Sequence, residues 1–116
     1  MINVYGIKTC STVRRAIKFC KENELEHTFI DFRANPLACE KVKYFGSKID
    51  INILFNNRGT KYRDLKLKEL NLDDDGKLEW LCKENMLLKR PIIEYGDDKV
   101  LVSFNEELYA KELLNK

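Results

Sequence analysis

The sequence predicts an α/β fold in which a strand–helix–strand unit and a strand–strand–helix unit flank a helical middle. Three observations carry this expectation. Within the first 32 residues, a short extended apolar run gives way to helical spacing and then to a run rich in aromatic and β-branched residues. From about residue 36 to 88 the spacing is mostly helical. Near the end, two apolar runs are separated by Gly96-Asp97-Asp98, the composition of a hairpin turn.

Taken in order, residues 2–6 (Ile-Asn-Val-Tyr-Gly) read as a strand. Ser11 or Thr12 can cap the next helix. Its apolar stripe is Val13, Ala16, Ile17 and Cys20, with Arg14, Lys18, Lys21 and Glu22 facing water, and Asn23 closes it. His27 to Phe32 is the second strand, so the unit is βαβ with parallel strands and a right-handed crossover. Asn35-Pro36 predicts a helix with proline at its first position, over 36–46. A short helix follows at 50–56 and another near 62–70. Asp73-Asp74-Asp75 places negative charge ahead of a helix through Leu78, Leu81, Cys82 and Met86. Gly59 and Gly76 mark breaks. Residues 91–95 and 99–104 are the hairpin strands, and Asn105 caps a last helix bearing Leu108, Leu113 and Leu114. The order is that of a thioredoxin-like core, about 1–35 and 89–116, with a helical insertion at about 36–88, all in one domain of 116 residues.

Composition narrows the function. Twenty-one basic against nineteen acidic side chains leave a net charge of +2, too balanced for direct nucleic-acid binding by bulk electrostatics. No apolar run is long enough to cross a membrane. A strand pattern begins at once with no signal-peptide pattern, so a cytoplasmic location is expected. The cysteines at 10, 20, 39 and 82 include no Cys-x-x-Cys, and there is one histidine, so no metal is expected. Asp73-Asp74-Asp75 lacks a second set of oxygen ligands at calcium-loop spacing and reads as helix-start charge. His27 starts a strand at the end of the sheet away from Cys10 and reads as structural.

Cys10 is the candidate nucleophile. It stands between the first strand and the first helix, where the helix N-terminus carries about half a positive charge and lowers a thiol's pKa. Lys8, Arg14 and Arg15 add positive charge. Thr9 and Ser11 offer hydroxyls, and the amides of Ser11, Thr12 and Val13 can hold a thiolate or a bound anion. Cys20 lies ten residues along the same helix, roughly 15 Å away, beyond the ~7 Å a disulfide allows. It reads as core. Cys39 and Cys82, in the insertion, are minor candidates for a thiol that resolves Cys10. A monothiol mechanism follows, with an external thiol completing the exchange.

The run from Tyr5 to Ala16 resembles the active-site turn of the arsenate reductase ArsC / Spx / YffB family. So do three further stretches, in order: Leu54 to Arg63, Leu88 to Ile93, and Val102 to Asn105. The pattern is most similar to the YffB-type, glutathione-dependent branch. The resemblance implies a thioredoxin-like fold, Cys10 as nucleophile, no bound cofactor, and glutathione or a glutaredoxin-like thiol donor as partner. It implies a cis Pro91 facing the cysteine, with Arg90 presenting its guanidinium there. Arsenate-reducing members hold the oxyanion with three arginines. Arg90 matches one, while Asn56 and Ser103 fall where the others stand; Arg58 and Arg63 are candidate substitutes. Spx members bind the RNA polymerase α subunit and usually carry Cys-x-x-Cys, whose second position here is Val13. The leading expectation is therefore a thiol oxidoreductase, with an Spx-like transcriptional regulator and a true arsenate reductase as alternatives.

Overall fold

The computed structural model describes residues 2–114. The chain divides into two compact units. One runs to Phe32 and resumes at Arg90; the other is 33–89.

The first unit is built on a four-stranded mixed sheet. β1 (Ile2–Gly6) pairs in parallel with β2 (His27–Asp31), in the register Ile2↔His27 to Gly6↔Asp31. β3 (Ile92–Tyr95) lies antiparallel to β1, and β4 (Lys99–Val102) antiparallel to β3, giving the order β2-β1-β3-β4. Two helices belong to this unit, α1 (Ser11–Glu22) after β1 and α6 (Glu106–Leu113) at the end. Together these elements make a thioredoxin-like fold. The β3–β4 turn is the expected one, with Gly96 and Asp98 both at positive φ.

Alternation in β1 and β3 sorts the sheet's faces. Ile2, Val4, Ile93 and Tyr95 join Val13, Ala16, Phe19, Cys20 and Tyr109 in one buried cluster. Phe19, Phe104 and Tyr109 meet edge to face, with ring centroids 4.9–6.2 Å apart. Tyr109 is the anchor of α6 and is 1% exposed, whereas Leu108, expected to be apolar anchorage, is an exposed residue. Asn105 caps α6 as expected, its side chain accepting from the Leu108 amide at 2.9 Å. On the opposite face, Glu94 Oε1 accepts from Asn3 Nδ2 at 2.9 Å and from the Tyr5 hydroxyl at 3.0 Å.

The second unit holds α2 (Cys39–Lys48), α3 (Ile51–Leu54), α4 (Thr60–Asp64) and α5 (Asp74–Lys83), with 3₁₀ turns at Leu67–Leu70 and Asn85–Leu87. Val42, Phe45, Leu54, Phe55, Leu67, Leu81, Leu87 and Leu88 are its buried apolar residues.

Several expectations change here. The helix expected from Pro36 starts at Cys39: Ala38 is its N-cap with extended backbone (φ −63°, ψ 146°), and the chain before it is held by Asn85 Oδ1, which accepts the Leu37 amide at 2.8 Å. The helix expected over 62–70 is split at Lys66, which is left-handed. Gly76 does not break a helix. It sits in the first turn of α5, donating its amide to Asp73 Oδ1 at 2.8 Å. Met86 falls in a separate 3₁₀ turn beyond α5. Cys39 and Cys82 are bonded to each other, with Cα atoms 4.8 Å apart. They were expected as free thiols, each a minor candidate to resolve Cys10.

Candidate active site

The site is assembled where β1 hands the chain to α1. The Cys10 amide donates to the Ile7 carbonyl at 3.3 Å, closing a tight turn, and the Cys10 carbonyl accepts the first helical bond from Arg14 at 3.1 Å. The Lys8 amide donates to Asp31 Oδ2 at 3.3 Å, so the end of β2 helps pin the loop. Gly6 makes the approach of helix to strand possible, since a Cβ there would lie 2.6 Å from Val13 Cγ2.

Cys10 itself is the N-cap of α1, with extended backbone (φ −82°, ψ 122°). The expected cap, Ser11 or Thr12, instead lies inside the first turn. A cap residue's side chain faces the open amides of that turn. Burial alone would raise the thiol's pKa. The amides of Val13 and Thr12 and the hydrogen bond and charge of Arg90 oppose it, and the net direction is down. Cys20 behaves oppositely: it is fully buried, and burial pushes its thiol up.

Arg90 enters from the start of β3, and the Arg90–Pro91 peptide is cis. The Pro91 carbonyl accepts the Ser103 amide at 2.8 Å, which ties Ser103, itself at positive φ, to the base of the site. Ser103 also accepts a hydrogen bond from the Tyr109 hydroxyl at its carbonyl.

Structure distributes the sequence-expected residues unevenly. Cys10, Thr12, Val13 and Arg90 come together, Val13 through its amide rather than its buried side chain. Arg14 turns back to the Thr9 carbonyl at 3.4 Å. Arg15 reaches Thr12 Oγ1 at 3.5 Å and lies 5.9 Å over the Phe104 ring. Lys8, Thr9 and Ser11 are exposed. Asn56 and Arg58 belong to the second unit, where Asn56 Oδ1 accepts the Arg58 amide at 3.1 Å and the Arg58 carbonyl accepts from Arg63 Nη1 at 3.1 Å. His27 Nδ1 lies 2.9 Å from the Leu25 carbonyl. Asp31 was missed by sequence reading; the register Gly6↔Asp31, which puts it beside the end of β1, was the only signal that could have found it. Among the described residues no group of three or more His, Cys, Asp or Glu can hold a metal ion, and no helix is long and apolar enough to cross a membrane.

A thiol capping the helix after the first strand of such a sheet, with an arginine before a cis-proline beside it, defines a thioredoxin-like fold of the thiol-oxidoreductase type. The ArsC family profile matches residues 5–112, and the chain belongs to the ArsC family. It is similar to YusI of Bacillus subtilis, 36% identical over 114 residues, covering 95% of this chain and 96% of that one. Among solved structures, the YFFB protein superposes with a TM-score of 0.89 at 27% identity, covering 97% of this chain and 99% of that one. More distant relatives lie on both sides of the catalytic divide. The global transcriptional regulator Spx 2 of Bacillus anthracis is 23% identical over 117 residues, covering 97% of this chain and 87% of its own. An arsenate reductase of Acidiphilium multivorum is 26% identical over 94 residues, covering 79% and 67%.

Proposed function

We propose that the protein is a thiol oxidoreductase that works through Cys10 alone, with glutathione or another external thiol as the resolving partner. The observation that supports it most is the placement of Cys10 as the N-cap residue of α1 beside Arg90, where the helix amides and the guanidinium favour its thiolate. In this reading the Cys10 thiolate attacks one sulfur of a disulfide substrate, and the other sulfur leaves as a thiolate. A glutathione thiolate then attacks the substrate sulfur of the mixed disulfide. Cys10 leaves as a thiolate, held by the Thr12 and Val13 amides and Arg90, and the substrate departs as its glutathione disulfide. In this reading the exposed Lys8, Thr9 and Ser11, next to Cys10 in the chain, are the residues a substrate meets, with the cis Pro91 following Arg90.

Arsenate fits this site less well. An oxyanion in a pocket requires charge-assisted donors. By the sequence resemblance, Asn56 and Ser103 replace two of the three arginines with which arsenate-reducing members hold the oxyanion, and Arg90 alone is kept.

The test is thiol transfer from a glutathionylated peptide, with wild type and Cys10→Ser. Turnover in wild type, lost in Cys10→Ser, with a mass-detected glutathione adduct on Cys10, supports the proposal. Absence of turnover together with capture of the RNA polymerase α subunit, unaffected by Cys10→Ser, would favour the regulator reading that the likeness to Spx 2 suggests.

A further inference from the structure

We propose that Cys39 and Cys82 form a second thiol–disulfide exchange centre, distinct from Cys10 and carried wholly by the 33–89 unit, whose reductant is a small thiol.

The placement of the pair supports this. A disulfide that serves only as an internal staple is best shielded from thiols; this one is not. Cys39 is exposed and Cys82 half-buried, in contrast to Cys20, which is fully buried. Cys39 is the first residue of the ten-residue helix α2, and its N-cap, Ala38, offers no side-chain acceptor to the first turn. The helix N-terminus there favours a Cys39 thiolate and makes that sulfur a better leaving group from its mixed disulfide in the second of the two exchanges, whereas exposure decides that Cys39 is attacked in the first. Glu40, in the same turn, opposes this field, and the exposed Lys43 one turn on supports it.

The two helices also make contacts away from the bond. α2 and α5 pack side by side, closely enough at Gly46 that a Cβ there would lie 3.3 Å from Leu78 Cδ1. Asn85 ties the two ends of the unit independently, donating to the Leu81 carbonyl at 2.9 Å and accepting the Leu37 amide at 2.8 Å. With Cα atoms at 4.8 Å, inside the normal disulfide range, the sulfurs need no backbone movement to rejoin. A pair that stays aligned in its dithiol form is a reversible one.

The exchange balances as follows. A thiolate RS⁻ attacks the exposed Cys39 Sγ. The Cys39–Cys82 bond breaks, and its electron pair leaves on Cys82 Sγ, which takes up a proton. A second RS⁻ attacks the R sulfur of the Cys39 mixed disulfide, releasing Cys39 as a thiolate and RSSR. Two electrons pass from two thiols to the pair; Cys82 takes up one proton, and the Cys39 thiolate takes up the second when it is protonated.

The experiment equilibrates folded wild type and Cys10→Ser in a series of glutathione/glutathione disulfide buffers. Acid quenching, isotopic alkylation and peptide mass mapping follow. Expected is a joint conversion of Cys39 and Cys82 in both proteins. Because two glutathiones are consumed per bond, a tenfold rise in free glutathione at fixed glutathione disulfide shifts the dithiol-to-disulfide ratio about 100-fold. In Cys82→Ser, a glutathione adduct accumulates on Cys39. The proposal is overturned if both cysteines are freely alkylated at every ratio. It is equally overturned if the bond survives the most reducing buffer in the folded protein and opens only in denaturant. Conversion in wild type but not in Cys10→Ser would also overturn it, since the pair would then depend on Cys10. Thiol transfer by a Cys39→Ser/Cys82→Ser double variant reads the Cys10 proposal separately.

Discussion

Arg90 is the side chain whose removal tests the site most directly. Its guanidinium acts on Cys10 through both a hydrogen bond and charge, while the Thr12 and Val13 amides act through the backbone and survive any substitution there. Arg90→Ala should therefore raise the thiol's pKa without returning it fully to a free thiol's, and slow iodoacetamide labelling at neutral pH several-fold. Arg90→Lys keeps the charge, loses the planar fork, and should fall between. Labelling rate against pH checks both. The same group sets a pH-dependent stability term. A thiol with a lowered folded pKa adds stability above its unfolded value of about 8.5, and the gain vanishes as pH falls through the folded value. Wild type should accordingly gain on Cys10→Ser as pH rises from 6 to 9, measured by denaturant midpoints. A flat difference would mean the thiol is not activated.

At the scale of elements, the join of β1 to α1 is the most constrained. Gly6→Ala puts a methyl group 2.6 Å from a Val13 methyl carbon that is itself fully buried, so α1 must shift. Overpacking of this kind costs about 1–3 kcal/mol, and because Val13 also supplies a thiol-holding amide, Cys10 labelling should slow along with the loss in thermal midpoint. The end of α6 makes a different prediction. Burial, together with the hydrogen bond to Glu112 and its charge, pushes the Tyr95 hydroxyl up to about 12. A raised phenol stabilises the fold below its unfolded value of about 10, and that stability is lost as pH climbs toward 12. Tyr95→Phe should flatten this alkaline loss in a pH series of unfolding midpoints.

Elements also show how much the sequence could reveal. The strands, α1 and α6 were legible because each has a strong local signal: alternation, a helical stripe, or Asn105 as cap. Cys10 was legible for the same reason, standing at a strand-to-helix joint. What failed depended on distant partners. Pro36 has the right chemistry to open a helix, yet the backbone is still extended at Ala38 and Leu37 is tied to Asn85, 48 positions further along the chain. Lys66 splits a helical pattern by adopting a left-handed backbone usually left to glycine or asparagine. The Cys39–Cys82 bond links residues 43 apart, and spacing alone does not specify connectivity.

For the molecule as a whole, that bond closes a loop spanning most of the 33–89 unit. On chain-entropy grounds a loop of this length stabilises by up to about 4 kcal/mol. Reduction, or Cys39→Ala with Cys82→Ala, should lower the thermal midpoint measurably while leaving Cys10 labelling within about twofold. The expected result is a fold that weakens but persists, because the burial of Val42, Phe45, Leu54, Leu81 and Leu87 contributes stability besides the bond. Scanning calorimetry with and without reductant reads the difference. A single unfolding transition under both conditions would show that the two units melt together.

Because Cys10 is the N-cap residue of α1 and the Thr12 and Val13 amides favour its thiolate, the start of the helix and the redox chemistry are coupled. The Thr12 and Val13 amides are satisfied by a thiolate; a disulfide or alkylated sulfur is neutral and a far poorer acceptor. Each time Cys10 is modified, the first turn should loosen and those two amides exchange faster with deuterium. Residue-resolved exchange at positions 12 and 13 then becomes an isotopic record of the sulfur's oxidation state, readable with no substrate present.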